Sequence, residues 1–210
     1  MTHRGTPRAT WRCLRNVALA LGTAAACGEP MSNGRLAGVE LIPAKPKPAF
    51  TLTSTSGAKY DFRRETDGRV ALLFFGYTHC PDVCPVHLAN IAAAMKRLSR
   101  SERAGVRVVF VTTDPMRDSL ARLRTWLNNF DSTFVGLRGS RDSVAAIESG
   151  LGLAPSEIEP GGSDGYGVGH AAEVLAFTPD DSLRALYSVG VRQEDWASDL
   201  PRLLAIGSKR

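Results

Sequence analysis

Two long apolar runs and a segment of helical spacing between them dominate the pattern of the chain. The runs at residues 70–77 and 106–112 contain almost no charged side chain, which is typical of strands buried on both faces of a sheet. Residues 85–99 carry apolar side chains at helical spacing, behind a proline that suits a first helical turn. The pattern therefore predicts two buried strands joined by a helix.

The same alternation continues through the rest of the chain. Apolar spacing and turn residues predict hairpins at 49–62 and 173–189, a short strand at 133–137, and helices at 119–130, 140–149 and 194–206. Strand, helix, strand and helix, followed by an antiparallel hairpin and a closing helix, is the order of a thioredoxin-like α/β fold. We therefore expect a central mixed sheet flanked by helices.

The first 26 residues have the pattern of a secretory signal peptide. They contain four arginines and no acidic residue, and the uncharged run at 16–28 is shorter than the roughly 18 residues of a membrane-spanning helix. Cys27 directly follows three alanines, and bacterial lipoproteins are cleaved just before a cysteine that receives the lipid; the leucine usual three positions before that cysteine is Ala24 here. We expect residues 1–26 to be removed and Cys27 to carry a lipid. Plain cleavage after the alanines, with Cys27 as a free thiol, is the alternative.

A segment rich in Gly, Pro, Lys and Ser separates this leader from the rest of the chain. Its composition predicts a flexible tether over residues 27–48, followed by one thioredoxin-like domain over 49–210. The leader and the lipid predict an exported protein, anchored to the outer face of the inner (cytoplasmic) membrane or otherwise periplasmic.

The basic charge of the chain comes largely from the leader. The net charge is +5, from 26 basic and 21 acidic residues, and four of the basic residues lie within residues 1–26. Without them, 22 basic residues face 21 acidic ones. No basic cluster with interleaved aromatic residues remains, which excludes a nucleic-acid partner.

Cys80 and Cys84 are the cysteines left for chemistry, because Cys13 lies in the leader and Cys27 is assigned to the lipid. They lie between the strand at 70–77 and the helix that follows, where an α/β fold presents its ligands. A helix N-terminus favours thiolate over thiol. Three intervening residues allow the pair to close a redox-active disulfide or to bind one metal ion. A simple stabilising disulfide is the plainer alternative, although so small a loop stabilises little.

The segment Phe-Phe-Gly-Tyr-Thr-His-Cys-Pro-Asp-Val-Cys-Pro at 74–85 resembles the Sco/SenC family, whose signature is C-x-x-x-C-P after a buried strand. Asp-Pro-Met-Arg-Asp at 114–118 is similar to a second family segment, and His170 stands where the family has its metal-binding histidine. Two positions depart from the family: Gly169 replaces a frequent aspartate, and no tyrosine follows the histidine at 171–175.

This resemblance implies a copper ion, Cu(I) or Cu(II), bound by Cys80, Cys84 and His170. It also implies a role in building the binuclear copper centre of cytochrome c oxidase, with the copper-bearing subunit or another exported copper protein as partner. The residue types agree, since thiolates select Cu(I) and imidazole suits both oxidation states, although zinc is also compatible with this set. Five glycines at 161–170 predict a mobile loop that brings His170 to the metal and withdraws it.

Neighbouring polar residues are weaker candidates. His79 and His87 are expected at the surface, with His87 in a first helical turn that could serve an alternative site. Asp114 and Asp118 either accept hydrogen bonds from the cysteine loop or end a strand and precede a helix. Met116 is either a soft ligand or a packing residue.

Three functions are consistent with the sequence. The first is the copper-binding assembly factor, or metallochaperone. The second is an exported thiol–disulfide oxidoreductase of thioredoxin type that keeps target cysteines reduced and has no copper-delivery role. The two are compatible, since a copper centre with cysteine ligands is loaded in the reduced state. The third is a peroxiredoxin-like peroxidase, which the absence of an arginine near Cys80 in sequence disfavours.

Overall fold

The computed structural model describes residues 35–161 and 165–207. The predicted leader and Cys27 lie outside these residues. In chain order the described elements are β1 (Val39–Pro46), β2 (Thr51–Ser54), β3 (Lys59–Asp61), α1 (Phe62–Glu65), β4 (Val70–Gly76), α2 (Val83–Met95), α3 (Arg100–Ala104), β5 (Val106–Thr112), α4 (Leu120–Asn128), β6 (Val135–Arg138), α5 (Arg141–Leu151), β7 (Glu157–Pro160), β8 (Tyr166–Gly169), β9 (Val174–Thr178), β10 (Ser182–Tyr187) and α6 (Gln193–Ala205). Within the described part, no helix combines the length and apolar character needed to cross a bilayer.

One mixed sheet of eight strands forms the centre of the fold, in the order β1-β10-β9-β4-β5-β6-β2-β3. The two predicted buried strands, β4 and β5, pair in parallel, and β6 continues the parallel part. β9 pairs antiparallel with β4, and β10 antiparallel with β9. The predicted mixed sheet flanked by helices is therefore confirmed.

Side chains of the central strands alternate between two apolar cores, one on each face of the sheet. Leu72 and Phe74 point into the core that α2, α4 and α6 cover. Leu73 and Phe75 point into the other core, which α1 and α5 cover. All seven residues of β4 are buried, as expected for a strand covered on both sides.

The N-terminal boundary of the domain differs from the prediction. Residues of the expected tether form β1, which pairs antiparallel with β10 at the edge of the sheet. The amide of Ala37 donates to the buried carboxylate of Asp199 over 2.7 Å. Lys47, also buried, forms an ion pair with Asp181 over 2.6 Å. The sheet thus includes residues 39–46 of the expected tether, because an edge strand can be largely exposed and rich in proline and lysine.

The last part of the glycine-rich segment before His170 forms a strand, β8. β8 pairs antiparallel with β7 in four registered residue pairs, from Glu157 with Gly169 to Pro160 with Tyr166. The histidine therefore follows a paired strand of a two-stranded hairpin, rather than a mobile loop.

Candidate metal centre

The turn from β4 into α2 brings both cysteines to the same end of the sheet. β4 ends at Gly76 and α2 begins at Val83, two residues earlier than predicted. Cys80 precedes the helix and is partly exposed, whereas Cys84 lies in its first turn and is fully buried. The backbone N–H of Cys84 points at Cys80 Sγ over 3.4 Å. The helix N-terminus therefore stabilises charge on Cys80 in particular.

Gly76 gives the buried sulfur its room. A Cβ added there would lie 2.5 Å from Cys84 Sγ and 3.1 Å from the ring of Phe110. Any larger residue would have to displace the sulfur or the ring. Sequence analysis missed this requirement, which the glycine within an otherwise bulky apolar run could have signalled.

His170 approaches the cysteines from the β7–β8 hairpin. Its Nε2 lies 3.5 Å from Cys84 Sγ. Its Nδ1 lies 2.8 Å from the carbonyl oxygen of Ala171, which can only accept, so Nδ1 carries a proton. When the ring is neutral, the Nε2 lone pair therefore faces the cysteines. The rings of Phe74 and Tyr77 pack edge-on against the imidazole, with centroids 6.1 and 5.7 Å away.

The three donor atoms are close enough to share one ion. Sγ of Cys80, Sγ of Cys84 and a ring nitrogen of His170 all lie within 4.8 Å of one another, and in the described part of the chain no other group of histidine, cysteine and acidic residues does so. Metal–sulfur and metal–nitrogen bonds of about 2.0–2.3 Å place the ligands of one ion up to about 4.6 Å apart. Two thiolates and an imidazole, close to that limit, fit a soft metal ion.

Asp118 holds the cysteine loop in place. Its carboxylate is fully buried and accepts hydrogen bonds from the backbone N–H and the hydroxyl of Thr78, over 3.0 and 2.6 Å. The hydroxyl of Thr112, at the end of β5, donates to the same carboxylate over 2.6 Å. Asp118 therefore accepts hydrogen bonds from the cysteine loop, the first of its two predicted roles.

Asp114 instead connects to the hairpin that carries His170. Its carboxylate accepts a hydrogen bond from the hydroxyl of Tyr166 over 3.0 Å and pairs with Arg117. The guanidinium of Arg117 lies 3.7 Å from the centroid of the Tyr166 ring and donates to the carbonyl of Tyr166 over 3.1 Å. These contacts fasten β8 to the end of β5, four residues ahead of the histidine.

The remaining sequence candidates lie outside the donor group. His79 accepts a hydrogen bond from Arg122 over 2.7 Å. The two residues are 43 positions apart, so the sequence did not predict this contact. His87 is 2% exposed and packs on Phe74, so the expectation of a surface residue is wrong. Met116 is 79% exposed and therefore contributes little packing.

A carboxylate stands beside Gly169, the position where the family often has an aspartate. The side chain of Glu159, from the paired strand β7, reaches so close that a Cβ on Gly169 would collide with Oε1. Glu157, Glu159 and His170 line an open cavity of about 390 Å³ on this side of the site. Glu159 thus supplies a carboxylate on this side of His170, although the residue directly before the histidine is a glycine.

The two thiols have very different electrostatics. The pKa of Cys80 is lowered to about 4, first by the hydrogen bond from the Cys84 thiol and further by His170 and by backbone N–H groups. Burial raises the pKa of Cys84, and the neighbouring Cys80 raises it further. Burial acts to lower the pKa of His170, but Cys80 and the Ala171 carbonyl outweigh it and the pKa is raised. The metal-free pair therefore holds one thiolate and one thiol at neutral pH.

The fold and the cysteine–histidine group define a thioredoxin-like protein with a dithiol site that can hold a metal ion. A family model described as SCO1/SenC matches residues 41–205. The chain belongs to the SCO1/SenC family, so the resemblance predicted from the sequence is confirmed.

Individual proteins agree with this assignment. A Stutzerimonas stutzeri protein named for copper binding is 32% identical over 146 residues, covering 68% of this chain and 70% of that protein. ScoI of Bradyrhizobium japonicum, solved with copper bound, has a TM-score of 0.67 and 28% identity, and the match covers 76% of this chain and 99% of that one. Apo Sco1 of Thermus thermophilus has a TM-score of 0.70 and 30% identity, with 80% and 97% covered. The predicted thioredoxin-like fold is confirmed.

Matches to mitochondrial relatives cover smaller parts of those proteins. The chain spans between 36% and 61% of the length of the mitochondrial Sco proteins that it matches.

The pKa difference between the thiols predicts selective alkylation of the reduced, metal-free protein. Cys80 should react with iodoacetamide with a pH midpoint near its pKa of about 4, because only the thiolate is a nucleophile. Cys84 should remain unmodified at neutral pH. Mass spectrometry of quenched samples gives both rates. Cys84→Ala removes the donating thiol and should move the midpoint of Cys80 upward. A wild-type midpoint in the ordinary thiol range would contradict this charge distribution.

The close approach at Gly76 predicts a paired effect on stability. Gly76→Ala should lower the free energy of unfolding by about 1–3 kcal/mol, because the new methyl overlaps Cys84 Sγ in a packed core. Adding Cys84→Ala should recover part of that loss. Gly150→Ala is the matched control, since a Cβ there meets nothing within 4 Å. Equal losses for Gly76→Ala with and without Cys84 would exclude the proposed overlap.

Proposed function

We propose that the chain is a copper-binding assembly factor that holds one copper ion through Cys80, Cys84 and His170 and passes it to the copper-bearing subunit of cytochrome c oxidase. The observation that carries this proposal is the convergence of two sulfur atoms and one imidazole nitrogen within 4.8 Å. Copper in the ScoI structure of Bradyrhizobium japonicum supports the choice of metal for this family. The bound ion is cargo to be delivered, so the site has to bind and release it.

Each ligand has a role that follows from its surroundings. Cys84 is buried and held by α2, so it fixes the inner end of the site. Cys80 is partly exposed and is the group through which a partner gains access. His170 comes from a separate two-stranded hairpin, so a small displacement of β8 would withdraw it without disturbing the thiols. Release therefore requires movement of one element only.

Thiol–disulfide exchange is a second function that the unequal thiols favour. Cys80 Sγ, as thiolate, would attack a partner disulfide and form a mixed disulfide, releasing one partner thiolate. Cys84 would then attack Cys80 Sγ, losing its proton to the second partner thiolate as that group leaves, and a Cys80–Cys84 disulfide would remain. The pair loses two electrons and the partner gains two. Such a reaction would prepare the cysteines of a copper centre for loading.

Substitution of His170 separates metal delivery from redox work. His170→Ala should weaken copper binding by more than the 10–100-fold typical of losing an outer hydrogen-bond partner, because one of three ligands is removed. The Cys80–Cys84 disulfide should still form and be reduced. His79→Ala is the matched control, since His79 lies beside the cysteine loop but outside the donor group. Copper titration of the reduced proteins against a competing chelator, with thiol counting, measures both properties.

Equal copper affinity of His170→Ala and wild type would remove His170 from the ligand set and leave the oxidoreductase function. A parallel titration with zinc, which accepts the same ligands, tests the metal. Preference for zinc over copper in that titration would contradict copper as the cargo.

We further propose that Cys27 carries a lipid which holds the protein at the outer face of the inner membrane. The basic leader, the short apolar run and the cysteine after three alanines support this anchor. Cys27→Ser should release most of the protein into the soluble exported fraction, because the proposed lipid attachment is lost. Fractionation and intact-mass measurement check this. Retention in the membrane with an uncleaved leader would show an anchor helix instead.

A further inference from the structure

An arginine-lined pocket lies on the domain far from the metal centre. Arg69, Arg100, Arg103 and Arg107 surround a cavity of about 290 Å³, together with Ala104, Val106 and Thr133. Among the residues that the structure describes, no acidic side chain lines it. The proposed metal chemistry makes no use of this pocket.

The local charge around the pocket is strongly positive although the chain without its leader is nearly neutral. Residues 96–107 contain five basic residues and one acidic residue, Glu102. The carboxylate of Glu102 closes the N-terminus of α3 by accepting from the backbone N–H of Ser99 over 2.8 Å. Asp131 pairs with Arg103 over 2.5 Å. Within residues 35–161 and 165–207, no acidic partner pairs with Arg69, Arg100 or Arg107, so the pocket keeps an excess of positive charge.

The pocket and the metal centre lie at opposite ends of the same two strands. Arg69 comes directly before β4 and Arg107 is the second residue of β5, whereas the cysteine loop follows the other end of β4. β4 and β5 are paired in register over their seven residues, and a strand of that length spans about 20 Å. A surface that contacts the arginines would leave the thiols facing away from it.

The first described residues lie along the middle and last turn of α6, where the amide of Ala37 donates to Asp199. The carbonyl of Arg35 accepts a hydrogen bond from Arg202 over 3.0 Å, in the last turn of α6. Two residues further along the helix, Leu204 packs on Gly105, between the pocket residues Ala104 and Val106. Eight peptide units connect Cys27 to Arg35, and even fully extended they reach at most about 29 Å. A lipid on Cys27 would therefore keep the domain near the membrane surface.

We propose that the arginine pocket binds the phosphate groups of anionic phospholipids and so orients the domain on the membrane, with the metal centre directed away from it. The orientation rests on the proposed anchor at Cys27, whereas the lipid binding itself does not. Guanidinium groups match phosphate oxygens in charge and in the geometry of their paired N–H donors. Basic residues at an anionic membrane surface each add binding energy that salt screens.

Vesicle flotation of the full chain carrying Cys27→Ser tests lipid binding without the anchor. The protein should float with phosphatidylcholine vesicles that contain roughly 30% phosphatidylglycerol, because anionic lipids give the surface a negative potential. It should remain unbound with pure phosphatidylcholine. Adding Arg100→Gln and Arg107→Gln should reduce partitioning by roughly tenfold or more. Arg64→Gln with Arg141→Gln is the charge-matched control on exposed residues elsewhere, and it should retain binding within about twofold.

Copper titration of every variant confirms that the fold and the metal site persist. Equal loss in both double variants would show a general charge effect and overturn the pocket as a site. If the parent chain does not float and the pocket instead binds inorganic phosphate, the membrane proposal is overturned in favour of a free anion. Flotation is measured without lipid on Cys27, so its failure is distinguishable from failure of the anchor, which fractionation of the wild type reports.

Discussion

Seven consecutive residue pairs join β4 to β5 in parallel and in register, and the positions of both surface sites depend on that pairing. Because the two strands run in the same direction, the segments that follow them meet at one end of the sheet and the segments that precede them meet at the other. The cysteine loop and the Asp114–Asp118 turn therefore lie together. The buried carboxylate of Asp118 converts this proximity into fixed geometry, since it accepts hydrogen bonds from both segments.

The metal centre joins two parts of the fold with separate means of support. The thiols depend on the β4–α2 turn and on Asp118, whereas the imidazole depends on a small hairpin outside the main sheet. The pairing of Asp114 with Arg117, and the stacking of Arg117 on Tyr166, link that hairpin to the end of β5. The imidazole and the two sulfur atoms are thus held by separate sets of contacts.

Much of the fold could be predicted from the sequence, because continuous apolar runs and helical spacing report burial directly. The two cysteines were found from their place between a strand and a helix, whereas His170 came from the resemblance to the Sco/SenC family. β1 could not, since an edge strand exposes most of its side chains and resembles a linker in composition. The hairpin of β7 and β8 was hidden by glycines, whose backbone freedom allows a paired strand as well as a loop. The contacts of Asp118, Arg122 and Glu159 join residues far apart in sequence, and no local pattern encodes them.

The close packing around Cys84 has a consequence for oxidative damage. Conversion of a cysteine to a sulfinic acid adds two oxygen atoms to the sulfur. Cys84 Sγ has the backbone of Gly76 on one side and the imidazole of His170 at 3.5 Å on another, and its side chain is inaccessible to solvent. Burial and these close neighbours shield Cys84, so irreversible oxidation is directed to the partly exposed thiolate of Cys80. The same packing that shapes the site therefore determines which of its two sulfurs limits the working life of the protein.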